Sequence, residues 1–425
     1  MHTLKKLMPK PLYRAVAPLY HHLLAWIGAQ LYGHPSRKIN IVAITGTKGK
    51  SSVSEFVNGI LEHAGYKTAL VSTIHFKIGQ NIEPNKLKMT MPGRFFLQKF
   101  LRRAVRAQCD WAIIEMTSEG ARQFRHINIE TDALIFTNIA PEHIESHGSF
   151  ENYLAAKLSI GKALEQSKKP SRMIIANADD DHGSDFLALH VDAALPYTLE
   201  YAQPWSTTEN GTQITFEGTP IHSPMPGEFT AYNMLAAATF AHAIGVDIKH
   251  IKAGLEATQR IPGRIEPISI GQEFDVIVDY AHTFESLEKL YQAFPSKEKI
   301  CVLGNTGGGR DTWKRPKMAA LAEKYCERVI LTDEDPYDED PESIVAEMAA
   351  GMHTKPEIIM DRRRAIRAAI ELAKGKTEAI VLITGKGTDP YIMRANGSKE
   401  PWSDATAARE ELQCSLGDTK STATI

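Results

Sequence analysis

The stretch Gly46-Thr47-Lys48-Gly49-Lys50-Ser51-Ser52 joins residue types that together bind phosphate. Glycines let the backbone curl until its N–H groups face an anion, a lysine reaches the outer phosphates, and a hydroxyl offers oxygen to a magnesium ion. Ile44 stands where the general phosphate-binding loop has its first glycine, so this is a shorter G-x-x-G-K-S variant. A glycine-rich turn with a chance lysine is the competing reading. Glu115 closes an apolar run and could share a magnesium ion with Ser51; a solvated acid at a strand end competes with that role. Residues 138–148 gather Asn138, Glu142, His143 and His147, a ligand set if they line a cleft and ordinary structural side chains if they do not. Lys157 reads by itself as a solvated lysine on a helix. Asn177-Ala-Asp179-Asp180, Gly227 to Asn233, Gly263-Arg264 and Asp279-Tyr280-Ala-His282 are weak one at a time, and their order carries the information.

These residues need an alternating scaffold. Apolar runs at 41–44, 68–72, 111–115, 133–137 and 173–177 predict strands, and the stretches 52–64, 95–108, 153–164 and 232–244 predict helices. Short apolar strands with helices between them imply a mainly parallel sheet covered on both faces, with ligands at its C-terminal edge. Residues 195–225 read as a small β insertion. After a linker near Pro262-Gly263, strands at 276–279, 300–303, 329–332 and 380–384 alternate with helices at 314–326, 341–352 and 362–374, a second doubly wound unit. The expected organisation is a helical segment over 1–39, a nucleotide-binding domain over 40–262, a Rossmann-like domain over 263–414 and a loose polar tail over 415–425.

Composition bounds the rest. The net charge of −2 and the ordinary hydrophobic content of 43% describe a soluble globular chain with no reason to bind nucleic acid. Four cysteines without a C-x-x-C pair suggest a reducing cytoplasm, neither a disulfide framework nor a zinc site. Lys5, Lys6, Lys10 and Arg14 precede a mostly apolar stretch over 15–32. Helices packed on the next domain are one reading of it. A basic amphipathic helix on the inner membrane face is the other.

Taken in order, the motifs resemble the Mur ligase family of ATP-dependent amide-forming enzymes, and most closely its tripeptide-synthetase (MurE-type) branch. The resemblance covers roughly residues 40 to 412. It rests on 46–52, 115–118, 138–148, Ala156-Lys157, 177–180, 227–233, 263–266, 279–282, Arg310-Asp311 with Lys314-Arg315-Pro316, and Gly385-Lys386-Gly387. It implies ATP at Gly46, Thr47, Lys48, Gly49, Lys50, Ser51, Ser52, Asn233, Arg264, Asp279 and His282. It implies two magnesium ions held by Ser51, Glu115, His143 and a Lys157 carbamylated by CO2. Lys50, Lys157, His143 and Arg264 would carry catalysis. Ser118, Arg125, Asn138, His147, Arg310, Asp335, Gly385 and Asp389 would face the substrates. The implied reaction activates a carboxylate as an acyl phosphate, which an amino acid then attacks to form an amide on a UDP-N-acetylmuramoyl-dipeptide-like cell-wall precursor. The resemblance implies a cytoplasmic monomer acting on small molecules.

The chain departs from that family in three places. Only about 39 residues precede the strand that leads into the phosphate loop, where typical members carry a UDP-gripping domain. A folylpolyglutamate-synthase-like or lipid-linked acceptor, or a nucleotide-binding subunit without turnover, therefore stand as alternatives. Diaminopimelate-adding relatives read Asp-Asn-Pro-Arg where this chain reads Glu334-Asp335-Pro336-Tyr337, so the arginine that would clamp a distal carboxylate is missing. Asp333, Glu334, Asp335, Asp338, Glu339 and Asp340 crowd the same loop and would favour lysine or a similar diamino acid over diaminopimelate; a merely exposed acidic loop is the competing reading. Gly-Lys-Gly-His-Glu becomes Gly-Lys-Gly-Thr388-Asp389, which keeps an acid at the last place.

Overall fold

The computed structural model describes residues 10–142, 144–309 and 312–422. Two sheets organise it. The first runs through β1 (Asn40–Thr45), β2 (Thr68–Val71), β3 (His75–Ile78), β4 (Asn81–Pro84), β5 (Trp111–Glu115), β6 (Ala133–Phe136), β7 (Met173–Asn177) and β8 (Ala193–Tyr197), in the spatial order β4-β3-β2-β5-β1-β6-β7-β8. Only the β2–β3 and β3–β4 pairs are antiparallel; the remaining pairs are parallel. β1 is therefore flanked by β5 on one side and β6 on the other, with Ile44 opposite Glu115 and opposite Ile135. A connection that leaves one side and returns on the other opens a crevice at the C-terminal edge, where a ligand can sit. β1 and β5 are buried almost end to end, as expected for strands covered on both faces.

Of the expected strands, all appear within a residue or two of their predicted ends. β3, β4 and β8 were not expected. β4 is exposed along its length and β8 alternates half-buried with exposed residues, so neither carries the continuous apolar run of a central strand. β9 (Ser206–Thr208), β10 (Gly211–Phe216) and β11 (Thr219–Ser223) form a separate three-stranded antiparallel sheet within the expected β insertion.

The second sheet contains β12 (Glu266–Pro267), β13 (Asp275–Asp279), β14 (Glu298–Leu303), β15 (Arg328–Leu331), β16 (Glu357–Ile358) and β17 (Ala379–Thr384), ordered β12-β13-β17-β14-β15-β16 and parallel except at β12. β17 is fully buried in the middle.

The cysteine expectation needs correction. Cys301 on β14 and Cys326 just before β15 are joined as a disulfide. The crossover between two parallel neighbours returns the chain beside its starting strand, so cysteines that look scattered along the sequence become adjacent in space. Cys109 and Cys414 are free.

Helix α1 (Lys10–Leu31) packs against α2 (Arg94–Arg106). It turns small residues inward: Ala25, Gly28 and Ala29 are buried together with His21. Leu19, Leu23, Trp26 and Leu31 stay exposed on its other side. The last helix spans Asp404–Thr422, so residues 415–422 are helical where their polar composition predicts a loose tail. Its earlier turns pack on the helix Arg362–Ala373, and propagation from an established helix adds one backbone bond per residue.

Candidate active site

The phosphate loop leaves β1 at Thr45 and enters a helix at Lys50. Two of its glycines adopt backbone that side chains avoid, Gly46 at φ 150° and Gly49 at φ 84°. Both also lack room. A Cβ on Gly46 would lie 1.9 Å from Thr137 Oγ1, and one on Gly49 would lie 2.4 Å from Asn233 Oδ1. The loop is thus wedged between the end of β6 and the helix carrying Asn233. Asn138 locks it from below, accepting from Lys48 N (2.9 Å) and donating to Lys48 O (3.2 Å).

Two lysines converge on one carbonyl. Lys50 Nζ donates to Gly46 O at 2.8 Å and to Thr47 O at 3.0 Å. Lys157 Nζ donates to the same Gly46 O at 2.7 Å. Lys157 is buried, and Lys50 is half-buried at the cavity wall. Burial lowers the Lys50 pKa to about 8 against the pull of Glu115 and Glu142. Lys157 is driven well below the ordinary lysine range, first by burial and then by the Lys50 charge beside it. Lys157 is therefore no solvated surface lysine: its side chain lies under the loop, over the Tyr153 ring at 4.8 Å, while the Tyr153 hydroxyl bonds Thr47 Oγ1 at 2.9 Å. His147 packs edge-on against Tyr153 at 5.3 Å between ring centres, one layer behind the loop.

Glu115 sits fully buried at the end of β5 and accepts from Thr73 N (3.0 Å) and Thr73 Oγ1 (2.9 Å). Glu142 reaches Lys48 Nζ at 3.1 Å and His282 Nε2 at 3.2 Å. Burial lowers the His282 pKa to about 4, so the contact with Glu142 is not an ion pair at neutral pH. From the second sheet come Arg264 and Asp279. The Arg264 guanidinium stacks on Tyr280 at 4.5 Å and lies 3.5 Å from Ser51 Oγ. Asp279 accepts from Ile265 N and Ala281 N, both at 2.7 Å, and burial raises its pKa.

A cavity of about 550 Å³ is lined by 47–52, Asn138, Glu142, Asn233, Arg264, Asp279 and His282. A smaller cavity of about 230 Å³ adjoins it through Thr73, Thr90 and Tyr280, which line both. Asp389 lines the smaller one. Asp335 lies behind its wall, bonded at 2.8 Å to Lys386 Nζ, and Gly385 precedes that lysine in a left-handed turn with φ 105°. Arg125 donates to Met91 O and to Gln123 Oε1 (2.7 Å), bracing the 89–91 segment that borders the same cavity. Ser118 is buried at the start of the short helix Ser118–Arg122, next to the cavity-lining Thr117. His143 and Arg310 lie outside the described residues.

The acidic loop differs from its expected role. Asp333 pairs with Arg394, Glu339 with Arg315 (2.7 Å), Asp335 with Lys386 and with Lys88 (2.5 Å). Asp338 accepts from Asn396 N, Asp340 caps the following helix, and Glu334 accepts from Thr306 while burial raises its pKa. All six acids have internal partners, so they do not offer an incoming diamino acid a row of unanswered negative charge. Lys88 is the residue the sequence did not single out. It follows an edge strand in a polar loop and carries no motif.

Among the described residues, no group of three or more His, Cys, Asp or Glu side chains is arranged to hold a metal. The oxygen donors present, the Ser51 hydroxyl and the Glu115 carboxylate, are of the hard type that magnesium takes, and such an ion usually keeps waters and phosphate oxygens as its other ligands.

Residues 44–241 match the Mur ligase middle domain, and residues 263–387 match the Mur ligase glutamate ligase domain. A UDP-N-acetylmuramoyl-L-alanyl-D-glutamate–2,6-diaminopimelate ligase of Syntrophomonas wolfei subsp. wolfei is 34% identical over 386 residues, which is 87% of this chain and 77% of that protein. A UDP-N-acetylmuramyl-tripeptide synthetase of Roseiflexus sp. is 35% identical over 418 residues, 92% of this chain and 81% of that protein. Among solved structures, a diaminopimelate ligase of the same description superposes with a TM-score of 0.61 at 26% identity, covering 89% of this chain and 79% of that one. A folylpolyglutamate synthase of Mycobacterium tuberculosis superposes at 0.71 with 17% identity, covering 86% and 92%, a likeness of fold. A phosphate loop with two lysines gathered on one of its carbonyls, an arginine and an aspartate brought in by the second half of the chain, and matches across both halves place this chain in the Mur ligase family, whose members are ATP- and magnesium-dependent.

Proposed function

We propose that this chain joins an amino acid carrying a second amino group to a UDP-N-acetylmuramoyl-dipeptide-like cell-wall precursor, driven by ATP. The convergence of Lys50 and Lys157 on Gly46 O, at the start of a phosphate loop that lines one cleft together with Arg264, carries this reading. Lys50 and the loop N–H groups would hold the phosphates, with the helix N-terminus adding positive potential. Arg264 would steady the transferring phosphoryl group, Asn233 the adenine and Asp279 the ribose, and His282 would complete the nucleotide contacts. Ser51 and Glu115 would hold a magnesium ion, which neutralises charge on the phosphates when bound. The acceptor carboxylate then takes the γ-phosphoryl group as an acyl phosphate, ADP leaves, and the amine attacks the activated carbonyl and expels phosphate. Ser118, Arg125, Asn138, His147 and Arg310 would position the acceptor; Asp389 would face the amine, with Asp335 and Gly385 supporting it from behind the cavity wall.

We further propose that Lys157 is carbamylated. A buried lysine with a depressed pKa presents a neutral amine; its nitrogen bonds to the carbon of CO2, one proton leaves, and the product is a carbamate anion. That anion, with His143, would complete a second cation site. We place the domain break at 262/263 and the protein in the cytoplasm as a monomer.

The deciding assay is phosphate release over a panel of UDP-muramoyl-dipeptide and folate acceptors with candidate amino acids. Release that requires both a muramoyl acceptor and an amino acid supports the reading; release with folates alone overturns it. Tyr337 stands at the wall of the small cavity with a left-handed φ of 54°. Tyr337→Arg should shift preference toward diaminopimelate by about 10-fold, the worth of one added charge-assisted contact. An unmoved ratio in a competition assay removes that loop as the reader.

Peripheral membrane contact through α1 is part of the proposal. No described helix is long and apolar enough to cross a membrane. α1 nonetheless exposes Leu19, Leu23, Trp26 and Leu31, and α1, the turn Pro35–Lys38 and the adjoining α2 contain no acidic residue. Basic residues beside an exposed apolar stripe suit an anionic lipid surface. Co-sedimentation with phosphatidylglycerol vesicles should occur and be lost in Leu23→Asp/Trp26→Asp; equal recovery of both proteins in the supernatant refutes it.

A further inference from the structure

The small cavity beside the nucleotide cleft has a wall whose charge comes from both halves of the chain. Lys88 belongs to the first half, in the loop after β4, yet its Nζ lies 2.5 Å from Asp335 Oδ2 and 3.1 Å from Asp389 Oδ2 in the second half. Lys386 Nζ completes the group at 2.8 Å from Asp335 Oδ1 and 3.4 Å from Asp389 Oδ2. Lys386 is fully buried and Asp335 nearly so, whereas Lys88, Lys399 and Asp389 line the cavity. Two cations and one acid therefore face the space. An ammonium has three donors; two of those on Lys88 go to the aspartates, and the third makes only a long bond, 3.5 Å, to Tyr391 O, the contact most readily exchanged for a ligand oxygen. Burial works against the Lys88 charge, but Asp389 and Asp335 outweigh it, so the amine stays protonated.

The loop is built to hold this lysine where it is. Lys88 adopts φ 53°, a left-handed conformation that a non-glycine residue keeps only when the surroundings impose it. Buried Asn85 imposes it, donating to Ser72 O (2.8 Å) and Met89 O (3.0 Å) and accepting from Leu87 N (3.0 Å).

We infer that Lys88 is a specificity-determining residue: with Asp389 it reads the far end of the incoming amino acid, favouring one whose distal carbon carries a carboxylate as well as an amine. A distal zwitterion can set its carboxylate on Lys88 and its ammonium on Asp389. A plain distal ammonium meets an acid pair already neutralised by two lysines. Because Lys88 comes from the other half of the chain, the reader is assembled only when the halves are apposed. This inference rests on the amide-ligase reading for the identity of the occupant.

The test is calorimetric titration of the full chain, saturated with a non-hydrolysable ATP analogue, with 2,6-diaminopimelate and separately with lysine. The unaltered protein should favour diaminopimelate. Lys88→Ala should weaken diaminopimelate about 10- to 100-fold, the worth of a charge-assisted hydrogen bond, while lysine changes by less than about 3-fold or tightens as the acids are released. Lys88→Arg should restore diaminopimelate to within about 3-fold. Equal weakening of both ligands, no weakening, or no diaminopimelate binding by the unaltered protein overturns the inference; equal weakening is what a purely structural tie between the halves would give. Phosphate release is read separately. Lys88-dependent binding without acceptor-dependent release would sink the ligase reading and leave this one standing.

Discussion

Lys157→Ala is expected to abolish ligation, lowering amine-dependent phosphate release at least about a thousand-fold, the scale on which loss of a preorganised charged group at a developing negative charge is felt. Lys157 is fully enclosed beneath the phosphate loop and shares Gly46 O with Lys50. Burial works against the charged amine, and the Lys50 ammonium on the same carbonyl adds to the cost, so the neutral amine is favoured. An enzyme that kept a lysine there for packing alone would tolerate a methionine of similar length. Lys157→Met should be as inactive as the alanine variant while melting at a similar temperature. Protein incubated with carbon-13 bicarbonate should show one carbamate resonance, absent from both variants. Unchanged turnover in either variant, with the fold intact, removes the carbamate role.

The second large effect is expected from Gly46→Ala. At φ 150° an alanine is strained, and its Cβ would fall 1.9 Å from Thr137 Oγ1 and 3.1 Å from the Asn138 backbone. Thr137 cannot swing away cheaply, because its hydroxyl donates to Lys48 O at 2.6 Å. The variant should lose about 2–4 kcal/mol of stability, the range for combined strain and overpacking, and should lose measurable ATP binding because the carbonyl that gathers both lysines is displaced. Thr137→Ala in the same chain removes the worst contact and should recover part of the stability in urea titrations. A Gly46→Ala protein that binds ATP normally would show that the loop tolerates a shape in which Lys50 and Lys157 no longer meet.

Much of this protein was legible from its residues alone. Apolar runs set β1, β5, β6 and β7 because a strand covered on both faces must be apolar throughout, and that requirement is local. The glycines of the phosphate loop, and the lysine and hydroxyl that follow, declare their chemistry by type and spacing. Edge strands β4 and β8 escaped, since one or both of their faces meet solvent and no apolar run marks them. Partnerships across long separations were decided only in three dimensions. Lys157 became a buried amine because its helix passes beneath the loop. Cys301 and Cys326 met because parallel strands return the chain to its own flank. The acids of 333–340 look like a negative surface in the sequence, but folding gives each a partner, and Lys88 arrives at Asp335 from a different sheet. Residue type decides which groups can react; long-range packing decides which of them are buried, charged and within reach of one another.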